Sequence, residues 1–140
     1  MAARELFALL FSALFLCLIT PSFAATNVLY TGQAIPTGQY LQYGNYIFGM
    51  RADCNLVLTD TGTSGWYTGS FVWSSGTSGK GTNCRALLQG DGNFVIYDGS
   101  GKVVWATNTA VGNGKYVVIL QPDRNVVLYG PSRAETGTAI

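Results

Sequence analysis

Three stretches of this chain repeat one nine-residue pattern: Arg51-Ala-Asp53-Cys-Asn55-Leu-Val57-Leu-Thr59, Gln89-Gly-Asp91-Gly-Asn93-Phe-Val95-Ile-Tyr97 and Gln121-Pro-Asp123-Arg-Asn125-Val-Val127-Leu-Tyr129. Asp, Asn and Val stand at the same offsets in all three copies. Tryptophan follows the first two, in Val72-Trp73-Ser74-Ser75 and Val104-Trp105-Ala106-Thr107. Asp91 to Asp123 and Trp73 to Trp105 are each separated by 32 residues. Such a repeat constrains a fold strongly, because every copy must build a similar unit and bury a similar face.

The unit is a set of short strands. Val103-Val104-Trp105, Tyr116-Val117-Val118-Ile119-Leu120 and the motif tails are rich in β-branched and aromatic residues, which suit a pleated surface. Asp98-Gly99-Ser100-Gly101 and Gly112-Asn113-Gly114 read as hairpin turns. Helical periodicity of useful length is missing from the sequence after residue 24, and eighteen glycines suit tight turns. Three similar sheets, each with one apolar face, bury those faces together as a prism. The expected class is all-β with pseudo-threefold symmetry.

Arg4, the apolar run Leu6 to Ile19, and the small residues Ser22 and Ala24 describe a secretory signal peptide cut after Ala24. The run is shorter than the roughly 20 residues a spanning helix needs, so a retained membrane anchor is the weaker alternative. The signal peptide occupies residues 1–24, and residues 25–140 form one domain of a secreted, extracellular or vacuolar protein. Of eight basic and seven acidic residues, Arg4 and Glu5 leave with the leader, so seven and six remain. That balance offers no basic stripe for nucleic acid and no polybasic patch for a membrane. Cys17 also leaves, and Cys54 and Cys84 form an even pair in an oxidising compartment. They read as one disulfide. Two free thiols or a metal pair is the alternative, and the chain has no histidine to complete a zinc site.

The repeated residues carry polar chemistry on a bend. Nine residues in one straight strand would hold Gln89 and Tyr97 roughly 26 Å apart. Gly90-Asp91-Gly92, and Pro122 in the third copy, are turn signatures. They would fold strand Ala86 to Gln89 back on Asn93 to Tyr97. Asn93, Val95 and Tyr97 then share one face, and Phe94 and Ile96 enter the core. Asp91 is an acceptor-only carboxylate, Gln89 and Asn93 donate and accept, Tyr97 adds a hydroxyl, and Val95 supplies an apolar floor. Neighbouring hydroxyls of a hexose match such a set. Four hydrogen bonds at about 0.5–1.5 kcal/mol each correspond to roughly millimolar affinity for one sugar. Avidity across several sites would strengthen it. The competing explanation is that Asp and Asn at a turn merely bond their own backbone.

At these residues the chain resembles the monocot mannose-binding lectins of the snowdrop and garlic type, whose motif is Gln-x-Asp-x-Asn-x-Val-x-Tyr. The resemblance covers Thr26 to Thr138 and includes the cysteine pair, the tryptophan strands and Thr136-Gly137-Thr138. It implies a β-prism II of three four-stranded antiparallel sheets that binds α-linked mannose and mannose-containing glycans or glycoproteins, without cofactor, metal or catalysis, in plant defence. It also implies roles: Asp91 and Asn93 on the 2-hydroxyl, Gln89 on the 3-hydroxyl, Tyr97 on the 4-hydroxyl and Val95 against the ring. Asp123, Asn125, Gln121, Tyr129 and Val127 would repeat them.

The first copy departs from the motif. Arg51 replaces Gln and Thr59 replaces Tyr, which leaves Asp53, Asn55 and Val57 as a degenerate site. Arg51 is expected to pair with Asp53 and fill its acceptor positions. The hairpin Asp60 to Phe71 is longer than its counterparts and carries Trp66 and Tyr67, which would stack on a ligand or pack on the surface. Arg133-Ala134-Glu135 stands where the third copy should carry tryptophan. Family members often exchange that strand to form homodimers. Ala134 therefore leaves a monomer or a differently packed dimer open. A glycosidase would need paired carboxylates, and the acidic residues instead fall one per copy. A protein-interaction or storage role on the same scaffold is the remaining alternative.

Overall fold

The computed structural model describes residues 26–62, 68–131 and 137–139. Residues 1–24, where the sequence suggests a leader, Trp66 and Tyr67, and Arg133-Ala134-Glu135 lie outside the described residues. The described residues form twelve strands and no helix. In chain order these are β1 (Val28–Tyr30), β2 (Ala34–Pro36), β3 (Tyr40–Tyr43), β4 (Tyr46–Met50), β5 (Leu56–Asp60) and β6 (Ser70–Ser74). They continue as β7 (Arg85–Leu88), β8 (Phe94–Tyr97), β9 (Val103–Ala106), β10 (Val117–Leu120), β11 (Val126–Tyr129) and β12 (Gly137–Ala139).

The strands pair into three four-stranded sheets, one for each motif copy. The first is ordered β3-β4-β5-β6, the second β2-β7-β8-β9 and the third β1-β10-β11-β12. Every pairing is antiparallel. The all-β threefold architecture expected from the repeat is therefore present. The repeat does not, however, contain whole sheets. The second and third sheets take their first strands, β2 and β1, from the start of the chain.

That N-terminal segment crosses all three sheets within sixteen residues, turning at Thr31-Gly32-Gln33 and again at Thr37-Gly38-Gln39. The two corners are built alike. Thr31 and Thr37 each donate both backbone N–H and hydroxyl to one carbonyl, of Tyr116 and Cys84 respectively. Gly32 and Gly38 both sit at φ of 84°, where a side chain would be strained.

Alternate residues of each strand enter a shared core. Leu29, Val118 and Leu128 come from the third sheet, Ile35, Ala86 and Ile96 from the second, and Leu41, Phe48 and Leu58 from the first; all are buried. Trp73 of β6 and Trp105 of β9 meet edge to face, with ring centroids 5.7 Å apart. A bulge precedes each of them in register, between Leu58 and Thr59 and between Ile96 and Tyr97 on the partner strands. Val72 and Val104 are the extra residues, and the bulges let both tryptophans oppose inward-facing partners, Leu58 and Ile96. In the third sheet the same register position, opposite Leu128, belongs to Thr138.

Cys54 and Cys84 form a disulfide, which removes the free-thiol and metal alternatives for them. It ties the first motif turn to the residue that precedes β7. The Asp98–Gly101 segment turns a hairpin between β8 and β9. Gly112-Asn113-Gly114 does not: it carries the chain from the second sheet to the third, with the Gly114 N–H on the Gly90 carbonyl at 3.0 Å. Local turn chemistry in a sequence cannot distinguish those two outcomes.

Candidate functional site

Each motif copy is the bend between two paired strands. In the second copy β7 and β8 pair from Leu88–Phe94 outward. The bend is closed by the Gln89 N–H on the Asn93 carbonyl at 2.9 Å and the Gly92 N–H on the Gln89 carbonyl at 3.2 Å. The first and third copies repeat both bonds with Arg51, Cys54 and Asn55, and with Gln121, Arg124 and Asn125. The residue between Asp and Asn has positive φ every time: 68° at Cys54, 89° at Gly92 and 68° at Arg124. In each copy the Asp Oδ1 accepts the N–H of the motif Asn, at 3.0 Å for Asp53, 2.9 Å for Asp91 and 3.1 Å for Asp123. The turn explanation thus accounts for one carboxylate oxygen per copy. It leaves the second oxygen to be assigned.

The bend also brings the ends of the motif together. Gln89 Nε2 donates to the Tyr97 hydroxyl, and Gln121 Nε2 to that of Tyr129. Val95 and Val127 lie beneath, only 3% and 8% exposed. They therefore form recessed patches, less open than the apolar floor expected from sequence. Arg85 pairs with Tyr97 across the strands, and its guanidinium carbon lies 5.6 Å from the ring centroid.

Residues after the tryptophan strand then separate the copies. Thr107 donates its hydroxyl to Asn93 Oδ1 at 3.2 Å, and the Thr109 N–H reaches the same oxygen at 3.4 Å. Thr109 also donates its hydroxyl to the Gly92 carbonyl at 2.7 Å. With its oxygen so occupied, the Asn93 amide nitrogen is directed to act as donor. Among the described residues, the Asn93 N–H is the one donor on the Asp91 carboxylate, so Oδ2 remains an acceptor. Donor and acceptor side by side, with fixed orientation, suit a hydroxyl group that both gives and takes a hydrogen bond.

The first copy builds the same lock and then fills it. Ser75 Oγ and the Thr77 N–H bond Asn55 Oδ1, each at 3.2 Å, and Thr77 donates to the Cys54 carbonyl. Ser78, one residue on, donates its hydroxyl to Asp53 Oδ2 at 2.7 Å. Both carboxylate oxygens are then engaged. Burial pushes the Asp53 carboxyl upward, but the bonds from Ser78 and the Asn55 N–H, with the Arg51 charge, hold it below its ordinary value. The acceptor expected to be filled by Arg51 is filled by Ser78, while the Arg51 guanidinium stacks over Phe71, 5.2 Å from its centroid. Thr59 is fully buried, and its hydroxyl has no hydrogen-bond partner among the described residues. Val57 is buried as well.

The third copy takes another course. Its Asn125 turns its own amide onto Asp123 Oδ2 at 3.0 Å. One amide N–H and one carboxylate lone pair are spent on each other there.

Thr107, Thr109 and Ser78 were missed by the motif, which ends at Tyr97. A signal existed: Ser75-x-Thr77 and Thr107-x-Thr109 recur at the same distance after Trp73 and Trp105. Ala110 then stands where the first copy has Ser78.

No family model matches the chain. A mannose-specific lectin of Galanthus nivalis is 46% identical over 92 residues, which cover 66% of this chain and 54% of that relative. The matched part thus spans about half the length of that relative. Among solved structures, the mannose-specific agglutinin of snowdrop bulbs complexed with methyl-α-D-mannoside superposes with a TM-score of 0.69 at 46% identity. The match covers 80% of this chain and 96% of that one. The monomeric monocot mannose-binding lectins of Gastrodia elata give a TM-score of 0.71 at 43% identity, over 81% and 96% of the two chains.

Proposed function

Because the chain belongs to the monocot mannose-binding lectin family, we propose that it is a non-catalytic lectin binding mannose and mannose-containing glycans at its second and third motif copies. The observation that carries this reading is the arrangement at Asp91 and Asn93. Thr107 and Thr109 consume the amide oxygen, which leaves an amide donor beside a carboxylate acceptor on a rigid bend. A turn alone needs neither an open acceptor nor the distant Gln89–Tyr97 pair.

The second copy is the better organised of the two sites. In the third, one amide N–H of Asn125 and one lone pair of Asp123 Oδ2 are already spent on each other. The first copy is closed by Ser78, so two sites remain from three repeats. Glycoproteins bearing several mannose ends are the fitting partners, since two weak sites gain from multivalency. Secretion after removal of residues 1–24 belongs to the same proposal, and the N-terminus of the mature protein, read by mass spectrometry, tests it.

The decisive experiment is retention on immobilised mannose. Asp91→Asn with Asp123→Asn keeps an oxygen for each turn N–H and removes both carboxylates. We expect the wild-type protein to be retained and the double variant to pass through, with similar thermal unfolding. Free passage of the wild-type protein, with no binding on a glycan array, would overturn the reading.

A further inference from the structure

The N-terminal segment carries a second, shorter repeat: Asn27-Val-Leu-Tyr-Thr-Gly32, Gln33-Ala-Ile-Pro-Thr-Gly38 and Gln39-Tyr-Leu-Gln-Tyr-Gly44. Each hexad supplies one edge strand, β1, β2 or β3, to a different sheet. Together the three strands close a collar. Two of its corners are the threonine–glycine turns, and the Gln42 N–H on the Thr26 carbonyl, at 2.9 Å, joins β3 back to the start of β1. The third residue of each hexad, Leu29, Ile35 or Leu41, is buried. At the far edges of two sheets, Trp73 of β6 and Trp105 of β9 pack large rings against the core. The collar has only aliphatic groups at the corresponding depth. A cavity of about 260 Å³ opens there, with Leu29, Ile35 and Leu41 in its wall and Thr26, Gln33 and Gln39 beside them. None of these is a motif residue.

We propose that this cavity binds a small, neutral aromatic molecule of one or two fused rings that carries a single hydroxyl or N–H group. Size sets the upper limit, since an apolar cavity of about 150 Å³ already takes benzene. Charge sets another: no charged side chain lines the cavity among the described residues, so an ion would be stripped of water with nothing to replace it. A sugar is disfavoured for the same reason, because three aliphatic side chains cannot answer hydroxyls on every edge. Rigid rings also bury apolar area at little conformational cost. The polar anchor is Gln39. Its counterpart Gln33 spends Oε1 on the Tyr30 N–H at 2.9 Å. Three residues before Gln39 stands Pro36, which has no N–H to give. The Gln39 carboxamide thus has no hydrogen-bond partner among the described residues, although its backbone is held by Pro36 and Met50. One free polar group beside an apolar wall fixes the orientation of such a ligand.

The test titrates the chain from Ala25 onward with 2-naphthol, read by the fluorescence of the probe. One saturable site per chain is expected, unchanged by saturating methyl α-mannoside. Naphthalene, which lacks the hydroxyl, should bind roughly three- to tenfold more weakly. Gln39→Leu should bring 2-naphthol down to the level of naphthalene and leave naphthalene itself unaffected. Gln39→Trp, which puts an indole into the cavity, should abolish binding of both probes. Thermal unfolding checks that each variant is folded. Absence of saturable binding, binding that survives Gln39→Trp, or displacement by the mannoside overturns the site. Equal affinity of the wild-type protein for the two probes overturns the part given to Gln39.

Discussion

Thr107 and Asn93, fourteen residues apart, meet through the threonine hydroxyl, 3.2 Å from Asn93 Oδ1. The Thr109 N–H, which can only donate, reaches the same oxygen at 3.4 Å, and the two together set the direction of an amide that could otherwise flip.

Replacing that lock should therefore weaken the second site. With Thr107→Val and Thr109→Val, Asn93 Oδ1 loses the Thr107 hydroxyl and keeps only the residue 109 N–H at 3.4 Å. Mannose affinity measured with Asp123→Asn in the background should fall, and folding stability should fall by about 1–3 kcal/mol as the Gly92 carbonyl and the Asn93 amide lose partners. Unchanged affinity would show that the amide needs no fixing.

Ser78 and Ala110 offer an exchange test. Ala110→Ser should place a hydroxyl on Asp91 as Ser78 is placed on Asp53, and reduce affinity at the second site by roughly three- to tenfold. Titration with the third site silenced reads the change. A serine that leaves affinity intact would mean that the carboxylate exchanges partners freely.

Positive φ at the motif bend predicts opposite effects at two equivalent positions. Arg124→Gly removes a side chain from φ of 68° and should stabilise the protein by about 0.5–1 kcal/mol. Gly92→Ala puts a Cβ 2.7 Å from atoms of the Tyr116 ring at φ of 89°, and should cost about 2–4 kcal/mol. Denaturant unfolding of the two variants distinguishes them.

Acid should destabilise the fold through two carboxylates. The Ser100 hydroxyl and the Lys102 N–H hold Asp98 below its ordinary range. At Asp53 burial pulls the other way and is outweighed by Ser78, the Asn55 N–H and Arg51. Because both folded-state values are depressed, the unfolded chain takes up protons first as pH falls. Their stabilisation is present above about pH 4 and is lost below it. With no histidine in the chain, the melting temperature should be level between pH 7 and 5 and fall below 4. Asp98→Asn should reduce that fall.

The sheets and the motif bends were legible because both depend on local sequence. Alternation marks the strands, and Asp-x-Asn at a turn needs only its own backbone. What determines whether a copy is open lies outside the motif. Ser78 and Thr107 act on residues fourteen to twenty-five positions earlier, through bonds that exist only once β6 and β9 have paired. The same reason hid the role of Gly112–Gly114, which resembles a hairpin turn and links two sheets. Register likewise sets Thr138 opposite Leu128, a pairing that the spacing of the motif does not reveal. The Arg51 charge does act on Asp53, as the sequence suggests, but the carboxylate oxygen that the turn leaves over takes the Ser78 hydroxyl. The Asp53 acceptor is occupied, but by a hydroxyl whose reach no spacing rule could supply.

The N-terminal segment shapes the order in which such a chain can assemble as it is made. The first sheet is contiguous from β3 to β6 and can pair as soon as residue 74 has emerged. By contrast, β2 must wait for β7, and β1 must wait for β10, whose Ile119 pairs with Val28. During that interval the segment that will join all three faces is an unpaired edge rich in aromatic and aliphatic groups. Of the described pairings, that of β1 with β10 spans the most sequence and so carries the greatest loop-closure cost.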